Sequence, residues 1–239
     1  MFCIDRAGIT GDDGASHHGV MDMVLLSKVP GLTVLAPSSI AELDTMLRLA
    51  MGNAGRPEGP IAIRWPKTAP PLGDAGLTGT GLQARRLRDG HGVCILAVGK
   101  MVERASATAE LLEHVGIDAT VWDVRCASPL DPAMLDDARS HRLVVTIEDG
   151  LIEGGVGQAI GSALDVLALD ALTLDGLRLD DPIASPRPPV SVLGIPLGFL
   201  PHGKPDSILA ELGLGAHQIA DHIQNLVASH VPEEAGASR

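Results

Sequence analysis

The sequence has no tyrosine and only two phenylalanines and two tryptophans in 239 residues. With so few rings, platforms for stacking bases or sugars are excluded, and the core has to be built from Leu, Val, Ile and Ala. Cations are also short: 18 Lys and Arg face 30 Asp and Glu, a formal net charge of −12. That balance argues against nucleic acid or an anionic membrane as partner. No apolar run approaches the ~18 residues of a membrane span. The opening residues carry Asp5 and Arg6 with no long apolar segment behind them, so no secretory leader is read there. The three cysteines, Cys3, Cys94 and Cys126, lack metal-ligand spacing. Cys3 and Cys94 sit in apolar runs and are expected as buried free thiols, in keeping with a cytoplasmic location.

What is present is an alternation of short apolar runs with helical patterns, the mark of an α/β chain with a mainly parallel sheet. "FCI" reads as the end of a strand, "LTVLAP" (32–37) and "GPIAIRWP" (59–66) as strands closed by proline. "SIAELDTMLRLAM" opens on a capping box, Ser39 with Glu42, and continues as an amphipathic helix. Periodicity fades over 67–92, read as a linker with an edge hairpin. A fresh alternation then fills 93–230: strands at 93–99, 118–124, 142–149 and 190–195, with helices between and after them. The stretch 172–189 reads as a surface insertion and 231–239 as a flexible tail. The unit 93–230 is complete on this reading. The unit 1–66 starts in mid-strand and has too few elements to cover both faces of a parallel sheet, so the chain reads as cut.

Chemistry concentrates in "DRAGITGDDGASHHG" (5–19), a polar loop directly after a strand. Open α/β sheets bind ligands at the carboxyl ends of their strands, so Arg6, Asp13, His17 and His18 fall in the right place, and Arg64 ends another strand of the same unit. Two arginines at one sheet edge suit a phosphate or carboxylate; His17 suits proton transfer near neutral pH. On spacing alone, an Arg6–Asp13 ion pair that merely closes a glycine-rich turn is an equal alternative. Ser16, His17 and Asp13 have triad residue types, but neighbours in one loop do not line up as a triad. "EGGVGQAIG" lacks the spacing of a dinucleotide fingerprint and reads as a tight strand-to-helix turn.

"DRAGITGDDGASHHG", "VPGLTVLAPSSIAEL" and "GPIAIRWPK", followed by "TIED", "EGGVG" and "LGIPLGFLPHGKPDSILAELGL", resemble the 1-deoxy-D-xylulose-5-phosphate synthases of the transketolase-like, thiamine diphosphate-dependent family. The resemblance implies a partial pyrimidine-binding domain (1–66) and a complete transketolase C-terminal-type domain (93–230). It implies Arg6 and Arg64 on the phosphate of glyceraldehyde 3-phosphate, Asp13 on the acceptor sugar, and His17 as the catalytic residue beside the cofactor's reactive carbon. The implied reaction joins pyruvate to glyceraldehyde 3-phosphate with loss of CO2, using thiamine diphosphate and Mg2+. The diphosphate- and magnesium-binding domain, and the glutamate that activates the cofactor, would lie upstream of Met1. The chain alone is therefore expected to bind no cofactor or metal and to be inactive. Its expected partner is a second copy or a chain carrying the missing domain. The alternative is a non-catalytic relic or dimerisation module. His18 stands where the family usually has Gln or Asn, and Trp65 where Tyr is common.

Overall fold

The computed structural model describes residues 1–52, 54–67, 77–174 and 187–230. Among the described residues, nine strands form two sheets. The smaller sheet holds β1 (Phe2–Ile4), β2 (Thr33–Leu35), β3 (Ile61–Arg64) and a strand from much further along, β7 (Cys126–Ser128), in the order β1-β3-β2-β7. The first three are parallel; β7 pairs antiparallel with β2. The larger sheet, in the order β4-β6-β5-β8-β9, holds β4 (Arg85–Arg88), β5 (Val93–Ala97), β6 (Ala119–Asp123), β8 (Leu143–Leu151) and β9 (Val190–Ile195). It is parallel except for β4 at its edge. The helices are α1 (Asp22–Leu26), α2 (Ile40–Met51), α3 (Met101–His114), α4 (Pro132–Ala138), α5 (Val156–Leu174), α6 (Pro205–Glu211) and α7 (Ala216–His230).

β5 shows why this sequence makes a two-faced sheet. Val93, Ile95 and Ala97 point into one core, with Met101, Ala105, Ala109 and Leu112 of α3 and Ile219 and Ile223 of α7. Cys94 and Leu96 point into the other, with Ile160 and Leu164 of α5 and Met134 of α4. A strand buried on both sides reads as a continuous apolar run, while side chains alternate between the faces. The second core does not stop at the larger sheet. Met23, Val34, Ala36 and Ala62 of the smaller unit belong to the same buried cluster.

Several expectations change in detail. Within 67–92, β4 is an edge strand but not one arm of a hairpin: it pairs with β6 rather than with β5, its neighbour in sequence. Its three arginines reach Glu42, Asp137, Asp89 and Glu113, acids offered on that side of the sheet. Cys3 is exposed, not buried, because β1 has a neighbour on one side only. The capping box closes by half: Ser39 Oγ accepts from Glu42 N at 3.2 Å, but the Glu42 carboxylate turns inward to Arg125 Nε at 2.8 Å and Gly79 N at 2.7 Å. The insertion lies outside the described residues except at its ends, and the tail lies wholly outside them.

β7 ties the units covalently and by hydrogen bonds, since it continues from β6 of one sheet into the other. We therefore expect one cooperative unfolding transition. Trp65 sits in the smaller unit and Trp122 in the larger, so the Trp65→Phe and Trp122→Phe variants report the two separately. Denaturation midpoints that coincide are the expected result; midpoints well apart would show independent units.

Candidate functional site

The carboxyl ends of β1 and β3 lie side by side, with Ile4 in register with Arg64. The ladder continues past both strands, as Trp65 N donates to Ile4 O at 3.0 Å and Ala7 N to Trp65 O at 2.9 Å. From there the loop 5–19 leaves and returns, pinned at its base by Gly8 N to Gly19 O and Gly19 N to Gly8 O, at 3.0 and 2.8 Å. A Cβ at Gly8 would strike the carboxylate of Asp149, and one at Gly19 the backbone of Arg6. Glycine is required at both places by close packing.

In the loop, Arg6 holds a positive φ of 58°, a conformation uncommon outside glycine. Its Nη1 donates to Asp13 Oδ2 at 2.5 Å, and Lys67 Nζ donates to that same oxygen at 2.7 Å. The hydrogen bond from Lys67 is the chief reason the Asp13 carboxyl is held below its ordinary range, with the charge of Arg6 adding to it. His17 is exposed and contacts Ser16 Oγ through Nδ1 at 3.0 Å. Asp13 is committed to the two cations, so no Ser–His–Asp relay forms. His18 Nδ1 accepts from Thr10 N at 3.0 Å, which leaves Nε2 to donate to Pro201 O at 3.2 Å. That ring bridges the loop to the segment before α6.

Arg64 is placed differently. Its side chain is 2% exposed, with Nε on Asp22 Oδ2 at 2.8 Å and Nη1 on Asp149 Oδ1 at 2.6 Å. Lys100 Nζ approaches Asp149 Oδ2 at 3.5 Å. Burial alone would raise the Asp149 carboxyl, but Arg64 and Lys100 outweigh it and hold it low. The structure brings Arg6, Asp13 and Lys67 together as one open cluster, and Arg64, Asp22 and Asp149 as a closed one. No side-chain partner is common to both. Lys67, Asp22 and Asp149 were not singled out from sequence. The only signal for Asp149 was a pair of acids, Glu148 and Asp149, ending an apolar strand.

Glu148 serves the turn after β8. Its two oxygens accept from Val156 N at 3.1 Å and Gly157 N at 2.8 Å, filling the N-terminus of α5. A Cβ at Gly155 would meet Leu151 O and Glu148, and one at Gly157 would meet Thr146 and Val192. The glycines of "EGGVGQAIG" thus serve tight packing, and the helix end that could take a pyrophosphate is occupied by a carboxylate of the protein. Among the described residues, one cluster has metal-ligating types, Cys94, Asp137 and His141. Asp137 already accepts from Trp122 and Arg86, both ring nitrogens of His141 have oxygen partners, and burial pushes the Cys94 thiol up.

Two predictions follow from these buried charges. Arg64→Ala strands two carboxylates, Asp22 and Asp149, and should cost about 3–5 kcal/mol of stability in chemical denaturation. Arg64→Lys should not restore it, since one ammonium cannot span both acids; a loss under about 1 kcal/mol would refute the assignment. Burial raises the Glu148 carboxyl to about 7, against the two amide bonds that lower it; burial likewise takes Asp123 to about 7. Each holds its proton more tightly folded than unfolded. Stability should therefore decline as pH rises from the unfolded carboxylate range, about 4, to about 7, and level off above. Asp149 acts oppositely and lower: its contribution is full above the unfolded carboxylate range and is lost as pH falls below about 4 through its depressed folded value. Glu148→Gln should flatten the slope of melting temperature between pH 5 and 7; a slope unchanged by the substitution would exclude Glu148 as its source.

Comparison with known proteins agrees with this layout. The transketolase pyrimidine binding domain family matches residues 1–71 and the transketolase C-terminal domain family residues 82–219. A 1-deoxy-D-xylulose-5-phosphate synthase of Chlorobium luteolum is 37% identical over 236 residues, 97% of this chain and 34% of that protein. One of a Synechococcus species is 39% identical over 229 residues, 94% of this chain and 32% of that protein. The chain thus spans about a third of the length of these relatives. Among solved structures, a split-gene transketolase described as an inactive beta4 tetramer superposes with a TM-score of 0.74 at 25% identity, over 95% of this chain and 66% of that one. The transketolase of Campylobacter jejuni shares the fold, with a TM-score of 0.66 at 17% identity, over 94% of this chain and 31% of that one. The chain belongs to the transketolase family, in which it joins pyrimidine-binding-domain sequence to a C-terminal domain.

Proposed function

We propose that this chain supplies the acceptor-substrate side of a 1-deoxy-D-xylulose-5-phosphate synthase, an enzyme joining pyruvate to glyceraldehyde 3-phosphate with loss of CO2 on the route to isoprenoid precursors. The observation that carries the reading is the open cluster at the carboxyl ends of β1 and β3: Arg6, the carboxylate Asp13 and the exposed imidazole His17 on one loop, with Lys67, just past β3, as a second cation on Asp13. A phosphorylated hydroxyaldehyde calls for this set. Cations take its phosphate, a carboxylate takes a hydroxyl, and an imidazole near neutrality moves or orients a proton. In this reading Arg6 and Asp13 bind the acceptor and His17 bears on turnover. Arg64, spent on Asp22 and Asp149, reaches a phosphate only by releasing one of them.

Complete members of the family use thiamine diphosphate and a divalent metal. The residues described here do not fit that group. Magnesium bridged to a diphosphate needs a gathering of free oxygen donors, whereas the one ligand-type cluster among the described residues is a hydrogen-bonded structural one. Those contacts come from other protein, in cis or from another subunit. The smaller unit has a surface for it: Phe2, Met21, Leu25, Val29 and Met51 are exposed, and among the described residues β1 has a free edge. No helix among the described residues is long and apolar enough to cross a membrane, and a cytoplasmic homo- or hetero-oligomer fits the reading. That the similar split-gene transketolase is described as inactive in its beta4 form supports a need for a companion. It also keeps alive the second reading, a non-catalytic assembly module.

The deciding experiment combines this chain with an amino-terminal portion of the Chlorobium luteolum relative and assays pyruvate decarboxylation that depends on glyceraldehyde 3-phosphate. Turnover should require both parts. Thiamine diphosphate with Mg2+ should give no calorimetric signal with this chain alone; micromolar binding there would overturn the division of labour. Arg6→Ala should raise the KM for glyceraldehyde 3-phosphate roughly 10- to 150-fold and leave that for pyruvate near its original value. His17→Ala should lower kcat instead. A stable complex without turnover would favour the assembly module.

A further inference from the structure

Between β4, α3 and the start of α2 lies a cavity of about 420 Å³, within the size range of small-molecule sites. No residue of the loop 5–19 lines it. Leu87 of β4 and Val102 of α3, both packed into the core of the larger unit, give it an apolar wall. Three charged side chains line it as well: Arg85 of β4, and Glu103 and Glu110 of α3. Among the described residues, neither glutamate side chain has a hydrogen bond or an ion pair, to Arg85 or to any other group. Arg85 Nε is buried without a hydrogen-bond partner. The one carboxylate near it, Glu42 Oε1, stands off at 3.7 Å and already accepts from Gly79 N at 2.7 Å. With 30 acids against 18 Lys and Arg, unpaired acids on this chain are ordinary. An arginine with no hydrogen-bonded partner, in the same cavity as two unpaired acids, is not, because a desolvated donor left unmet costs free energy.

We infer that this cavity binds a basic amino acid, with its carboxylate on Arg85 and its two cationic groups on Glu103 and Glu110. The charge pattern sets the class. Two carboxylates and one guanidinium are complemented by two cations and one carboxylate, and a guanidinium takes a carboxylate through two aligned donors. Spacing sets the shape. Glu103 and Glu110 are seven positions apart on one face of α3, about 10 Å along its axis, which suits an elongated dication better than a single ammonium ion. The methylene stem between the two cations then lies along Leu87 and Val102. Ser39, from the smaller unit, lines the same cavity, so an occupant touches both units and stabilises their junction by mass action.

Calorimetric titration of this chain with L-lysine at constant ionic strength should show saturable binding. Norleucine, which lacks the side-chain ammonium, and 1,5-diaminopentane, which lacks the carboxylate, should each bind at least about tenfold more weakly. Arg85→Gln should bring lysine down to the level of the diamine and leave the diamine unchanged. Glu103→Gln and Glu110→Gln should each weaken lysine about threefold or more. Glu153→Gln, an exposed acid away from the cavity, should change nothing. Thermal melts establish that each variant is folded, and saturating lysine should raise the melting temperature of the parent but not of Arg85→Gln. No saturable binding by the parent, an equal loss in Glu153→Gln, or a diamine that binds as well as lysine would overturn the assignment. No acceptor, cofactor or companion chain enters these titrations, so their outcome does not turn on the synthase reading.

Discussion

Everything near the loop depends on one buried guanidinium. Arg64 ends β3 of the smaller sheet, Asp149 lies late in β8 of the larger, and Asp22 opens the short helix α1 between them. In so apolar a surrounding, an arginine without partners would be untenable, and so would either acid. The three groups fix one another, and with them the distance between the ends of two sheets. Gly8 passes directly over Asp149, so the base of the polar loop is set by the same cluster. A charge cluster of this kind adds little net stability compared with an apolar core. Its contribution is to admit one arrangement and penalise the others.

Arg125 repeats the device elsewhere at the junction. It is 1% exposed, holds a φ of 55°, and donates to Glu42 and to the carbonyls of Gly81 and Gln83. The strap of chain approaching β4 is thereby held against α2 and the start of β7. The two sheets are joined by a shared apolar core and by two buried arginines. Local period and turn chemistry build the sheets; long-range charge pairing sets how they meet.

That division explains what could be read from the sequence. The strands β5, β8 and β9 and the helices α2, α3 and α7 announce themselves through apolar periodicity, proline ends and the Ser39 cap, all local signals. β7 does not: three residues, Cys126–Ser128, carry no periodicity, and their partner β2 lies some ninety positions earlier. The loop 5–19 stands out as a candidate site because polar chemistry after a strand is unusual, and its motif resembles a family. The destination of each side chain was not. Nothing local tells Arg64 from Arg6 as the buried one, nor marks Lys67, one residue past Pro66, as the cation that reaches Asp13. Glu42 shows the limit well, since the capping-box spacing is present and the carboxylate goes elsewhere, drawn by an arginine 83 positions away.

The crossing strand also bears on heredity. A piece of protein can be exchanged between relatives only if its cut ends sever few contacts, and the interval between the two family regions, 72–81, is the obvious place for such a cut. Yet whatever lies downstream of that point carries β7 away from β2. A foreign C-terminal half would have to bring a strand that fits the host's sheet, together with an arginine at position 125 and an acid at 149 to meet the host's Glu42 and Arg64. The two regions are separate names for pieces that must be inherited together.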